Sequence, residues 1–168
     1  MKTNRLVRCA MISAVYVVLC LALQPISYGA VQVRVAEVLT LLPIFGPEYI
    51  VAVTLGCLLA NLFGSTVIDV VFGTLASFLA CLATYALRKY RIRGLAIPAA
   101  VPPVLFNAVI VGLEITLFFS DAPATVPAAL LNMGTVGLGE IISCMILGVA
   151  LVRVIEKTPA IHRLLVET

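Results

Sequence analysis

Arg34-Val-Ala-Glu37-Val-Leu-Thr40-Leu-Leu-Pro43 sets a cation and an acid three residues apart at the head of an apolar run that ends at a proline. In a soluble protein that spacing would be an ion pair on one face of a surface helix. The surrounding chain rules this out: 62% of its residues are hydrophobic and 11% are charged, against about 25% charged in soluble domains. Its apolar runs exceed the roughly 9–11 alternating residues of a barrel strand. The sequence therefore predicts an all-α integral membrane protein, one membrane domain over residues 1–168. The opening stretch then holds paired charges where little water reaches them.

Outward from this stretch the chain divides into six predicted spans, at about 6–23, 35–45, 50–63, 67–87, 95–119 and 126–155. The first resembles a signal peptide, with basic residues before an apolar run. No small-x-small cleavage site follows, so it is read as a retained span. Gln24-Pro25 stop it, and a loop containing Tyr28-Gly29 leads to the second. The second and third are short, joined by Gly46-Pro47-Glu48. At about 1.5 Å per residue neither crosses a hydrocarbon core of about 30 Å comfortably. They are either two tilted spans or one re-entrant hairpin. The fifth carries Pro98, Pro102 and Pro103 in its first half.

Basic residues fall in three groups: Lys2/Arg5/Arg8, Arg88-Lys89-Tyr90-Arg91-Ile92-Arg93, and Arg153/Lys157/Arg163. Six spans put all three on one side, which the positive-inside rule makes cytoplasmic, with both termini inside. A hairpin at 35–63 gives the same parity. The scattered cysteines (Cys9, Cys20, Cys57, Cys81, Cys144) have no close pair and no nearby histidine, and read as small packing residues.

Four acids are expected at membrane depth: Glu37, Asp69, Glu114 and Glu140. Each costs roughly 2.5–3.5 kcal/mol at a helix centre, and Arg34 offsets only one. Asn61, Asn107 and Asn132 accompany them, with Asn107 on the face of Glu114. The simplest arrangement is a polar cavity opening outward between several helices. Plain structural readings stand beside it: an Arg34–Glu37 ion pair, Asp69 as a helix cap, and Glu48 beside Pro47 compensating a helix dipole. Glu114 and Glu140 sit at no helix end, which leaves function as their better explanation. The run Asn132-Met-Gly134-Thr-Val-Gly137-Leu-Gly139-Glu140 permits close approach to a neighbouring helix or a ligand. The lone His162 lies in a charged tail and is read as inert.

No phosphate-binding loop, zinc-protease motif or Ser/His/Asp set occurs, so the chain reads as neither an ATPase nor an enzyme and calls for no cofactor or metal.

Several blocks in order resemble the QueT family, the substrate-binding S components of energy-coupling-factor transporters linked to queuosine-precursor uptake. They are Gln24-Pro25-Ile26-Ser27, the Val33–Pro43 stretch, Gly56-Cys57-Leu-Leu-Ala60-Asn61, Asp69-Val-Val-Phe72-Gly73-Thr74-Leu-Ala76, Pro102-Pro103-Val-Leu-Phe-Asn107-Ala, and Val136-Gly137-Leu-Gly139-Glu140. The resemblance implies an S-component fold of six helices in a bacterial cell membrane and a 7-deazaguanine ligand (7-aminomethyl-7-deazaguanine, its cyano relative or queuine). It also implies docking through Ala10 and Ala14 on a transmembrane coupling subunit with two cytoplasmic ATPases, and no contact with nucleic acid.

The residues suit such a ligand. A carboxylate accepts the N–H edge of a guanine-like base in bidentate fashion, and an aminomethyl cation seeks a second acid. Glu140 or Glu114 is expected at the edge, Asp69 or Glu37 at the amine, and Asn107 and Asn132 at the carbonyl. Phe72 or Tyr28 is expected to stack on the ring, while Arg34 holds Glu37. Asn61 and Gly137 complete the expected binding set. The competing readings are a stand-alone proton-coupled carrier using Glu114 and Glu140, an S component for another vitamin, and a purely structural subunit.

Overall fold

The computed structural model describes residues 2–23, 33–120 and 123–166. Within these residues six helices and one 3₁₀ segment make a bundle: α1 (Lys2–Ala22), the 3₁₀ segment (Val35–Ile44), α2 (Glu48–Gly64), α3 (Val67–Ala86), α4 (Ile97–Phe119), α5 (Val126–Lys157) and α6 (Pro159–Val166). Among the described residues four stretches are long and apolar enough to cross a membrane: Thr3–Ala22, α3, α4 and α5. The six-span expectation is thus met in four helices. The 3₁₀ segment and α2 are the two short elements that the sequence marked.

Local chemistry sets the helix starts. Thr66 caps α3, its Oγ1 accepting from the Asp69 N–H at 3.4 Å, and Thr125 caps α5 in the same way through Ala128. Pro98 and Pro127 stand in first turns, where no backbone N–H is needed. Pro103 lies deeper in α4 and cannot bond the Ala99 carbonyl. The buried Thr84 hydroxyl of α3 donates to that carbonyl at 2.9 Å, so a helix defect becomes an interhelical tie.

The opening stretch is not α-helical. Ten residues in 3₁₀ geometry rise about 20 Å, where an α-helix would rise about 15 Å. The segment thereby reaches further through the bundle interior, packed against α1, α2, α3, α4 and α5. Leu41 and Leu42 are buried along it. Leu41 joins a core with Ala99, Ala100, Cys144 and Val152, while Tyr16, Val53, Cys57 and Cys81 form a second core beside it.

Polarity is inverted relative to a soluble protein. Leu6, Val18, Phe63, Leu130 and Leu131 are exposed, whereas Glu37, Asn61, Asn107, Glu114 and Glu140 are buried. An outer surface so apolar along the sides of its helices needs lipid around it.

The three basic groups converge on one end. Arg5 reaches Glu48 at 4.0 Å, Arg91 pairs with Glu156 at 2.7 Å, and Arg153 donates to the Gly94 carbonyl at 3.2 Å. The 3₁₀ segment leads to this end, where Glu48 opens α2, and α2 leads back to Thr66 and Asp69 at the start of α3. The tail is more structured than expected. It forms α6, where His162 packs edge-on against Phe45 at 5.9 Å and the Leu165 carbonyl accepts from the Tyr49 hydroxyl at 2.7 Å.

Candidate functional site

The 3₁₀ segment, α4 and α5 meet at a narrow cleft lined by Arg34, Asn107, Val111, Val136 and Glu140. Its walls are so closely apposed that the centre of a water molecule does not fit. Asn107 and Val111 are one turn apart on α4, and Glu114 continues the same face toward the Arg34 end. Val136 and Glu140 are likewise one turn apart on α5. Both glutamates stand where α-helix gives way to π geometry: Ile115–Phe119 begins directly after Glu114 and Ile141–Gly148 directly after Glu140. Such wide turns occur frequently at functional sites.

Each carboxylate has its own surroundings. Glu37 Oε1 accepts from the Tyr16 hydroxyl at 2.5 Å and the Ser77 hydroxyl at 3.2 Å, while Oε2 has no hydrogen-bond partner. Glu140 Oε2 accepts from Cys144 Sγ at 3.2 Å, and the same sulfur lies 3.3 Å from the Glu37 carbonyl. Asn107 faces both carboxylates, yet its Nδ2 closes no hydrogen bond. Asp69 takes hydroxyls from Ser65 and Thr66 on Oδ2 and faces Arg34 Nη2 through Oδ1 at 3.7 Å. Glu114 is 2% exposed and neither of its oxygens is hydrogen-bonded.

The expected site residues separate accordingly. Arg34, Asn107 and Glu140 share the cleft, with Glu37 behind it. Asn61 supports it: its Nδ2 donates to the Asp69 carbonyl at 2.9 Å, and a side chain at Gly73 would sit 3.0 Å from that nitrogen and 3.7 Å from Arg34 Nη1. Arg34 forms its ion pair with Asp69, and hydroxyls hold Glu37. The ion pair expected between Arg34 and Glu37 is thus made with Asp69, while the Arg34 charge still acts on Glu37. Asp69 is also more than a cap, since Thr66 supplies the cap and Asp69 answers from the first turn.

Three expectations miss the cleft. Phe72 is 36% exposed and packs on Phe118 at 5.9 Å, because its position on α3 faces outward. Asn132 donates to Thr116 Oγ1 at 2.9 Å and ties α5 to α4. Gly137 admits Ala108 of α4, 3.4 Å from where its Cβ would lie, and so serves helix packing. Tyr28 and the Gln24–Ser27 block lie outside the described residues. Ala10 and Ala14 are exposed on the outer face of α1.

From sequence Ser77 and Cys144 read only as packing residues, and Tyr16 carries no assigned role. One signal was available: Ser13, Tyr16 and Cys20 recur at spacings of three and four on the first span, marking a face that turns inward. Among the described residues no group of three or more His, Cys, Asp or Glu side chains is placed to hold a metal ion.

The sequence model of the QueT transporter family matches residues 6–157. The chain is 41% identical over 78 residues to the queuosine precursor transporter QueT of Lactococcus lactis subsp. cremoris (strain MG1363), covering 45% of this chain and 46% of that protein. The aligned region thus spans about half the length of that relative. No solved structure matches the chain. With nearly its whole length matched by the family, in order and through every element that builds the cleft, the chain belongs to the QueT family of transporters.

Proposed function

We propose that the chain is the membrane-embedded substrate-binding subunit of an importer for a queuosine precursor, a 7-deazaguanine. In this reading it crosses the bacterial cell membrane six times, both termini are cytoplasmic, and separate coupling and ATPase subunits supply the energy. The relative named for queuosine-precursor transport supports the substrate class. The observation that carries the reading is the pairing of Glu140 with an unbonded Asn107 Nδ2 across one buried cleft. A guanine-like base presents adjacent N–H donors and a carbonyl on one edge. Glu140 accepts the donors and Asn107 donates to the carbonyl. Val111 and Val136 give the ring flat apolar walls. Because the walls are closed, binding requires α4 and α5 to part there, beside the two π turns.

Ala10 and Ala14, small and exposed on α1, suit close approach of a coupling subunit's helix. The test is calorimetry on the purified chain with 7-aminomethyl-7-deazaguanine, its cyano relative, queuine, riboflavin, thiamine and biotin. Saturable binding of a deazaguanine, weakened by Glu140→Gln, is the expected result. Binding of a vitamin alone defeats the substrate assignment. Uptake by cells that collapses with an uncoupler yet ignores ATP depletion defeats the energy-coupling scheme and favours the proton-coupled carrier.

A further inference from the structure

Glu114 remains unexplained by the cleft itself. Of the four buried acids it alone has neither carboxylate oxygen hydrogen-bonded among the described residues. Asp69 is engaged on both oxygens, by Arg34 on one side and by Ser65 and Thr66 on the other. Glu37 is engaged by Tyr16 and Ser77, and Glu140 by Cys144. Burying a carboxyl group with two bare acceptors is costly even when it is protonated, and a donor-rich group relieves that cost. The charged side chains that act on Glu114 are Asp69 and Arg34, which already neutralise each other.

Position adds the second argument. Asn107, Val111 and Glu114 follow one another on a single face of α4, and seven residues of helix rise about 10 Å. That separation is comparable to the length of a bicyclic base carrying a one-carbon arm. A base read at its edge by Glu140 and Asn107 thus extends past Val111 toward Glu114.

We propose that Glu114 is the specificity-determining residue of this site, receiving a positively charged arm of the ligand and making the protein prefer an aminomethyl-bearing base to its neutral cyano relative. The inference rests on the reading that the cleft takes a 7-deazaguanine. The chemistry discriminates sharply. A primary ammonium offers three donors and no acceptor, which suits two bare carboxylate oxygens. A nitrile is an acceptor only, and it meets the same oxygens with repulsion.

The experiment measures Kd for the aminomethyl and cyano bases on the wild-type chain, Glu114→Gln and Glu140→Gln. Wild type is expected to bind the aminomethyl base at least about 10-fold more tightly. Glu114→Gln is expected to weaken the aminomethyl base by about 10- to 100-fold and to leave the cyano base unchanged or improved, which also reports that the variant is folded. Glu140→Gln is expected to weaken both alike. Equal wild-type affinities for the two bases overturn the proposal even if Glu114→Gln cannot be purified, as does a Glu114→Gln variant that loses both in the same proportion. Failure of wild type to bind either base defeats the substrate reading and this inference together. Binding without discrimination defeats the inference alone.

Discussion

Glu37 shows how the protein keeps an acid away from water. Two hydroxyls, from Tyr16 on α1 and Ser77 on α3, converge on one carboxylate oxygen. Tyr16 is 1% exposed and occupies the core between α1 and α2. Tyr16→Phe keeps that packing and removes the donor, so it is expected to lower unfolding stability by about 1–3 kcal/mol. Thermal unfolding in detergent reads the loss. Glu37→Gln placed on top of Tyr16→Phe is expected to cost less than the two single changes added together, because the pair acts as a unit. Additive losses would show that the short contact contributes nothing.

At the scale of elements, irregular backbone recurs at the centre of the molecule. A 3₁₀ segment, two π turns and the internal prolines of α4 all line or flank the cleft. Each frees backbone groups that lipid cannot satisfy, so each must be answered by protein. Thr84 answers Pro103, and Thr84→Val is expected to destabilise the α3–α4 contact by about 1–2 kcal/mol while leaving helix content unchanged by circular dichroism. Gly112 answers a different need. A Cβ there would lie 2.7 Å from Met133 Cα and 2.8 Å from its backbone nitrogen, and backbone cannot move aside as a side chain can. Gly112→Ala is expected to force α4 from α5, costing about 1–3 kcal/mol. Since that seam forms one wall of the cleft, ligand affinity should fall with it. An unchanged melting temperature and Kd would remove Gly112 from the account.

For the whole molecule, the gathered basic residues define an axis. Arg5, Arg91 and Arg153 are tied at one end, and Arg34 with Asp69 mark the other. In the orientation proposed above, which follows the positive-inside rule, the first end is the cytoplasmic one. Tyr90 is 63% exposed there, and four of the five cysteines are buried. A Tyr90→Cys variant is therefore expected to react with a membrane-impermeant maleimide in inside-out vesicles and to stay unlabelled in intact cells. Labelling in intact cells would reverse the orientation and turn the cleft toward the cytoplasm.

The sequence by itself determined the membrane class, the helical content, the two short elements and the buried acids. All of these follow from local composition and length: a charge in an apolar run is conspicuous whatever surrounds it. It also marked Asn107 and Glu140 as polar groups within a span, which require a partner. Only the tertiary structure decided who that partner is. Arg34 lies three residues from Glu37, yet it pairs with Asp69, because the 3₁₀ geometry and the N-terminus of α3 bring them within 3.7 Å. Asn132 and Gly137 were equally plausible from spacing, but the packing of α5 on α4 uses them at the seam. Periodicity fixes which residues share a face. The crossing of helices, set by side-chain volume and close backbone approach, chooses what that face meets.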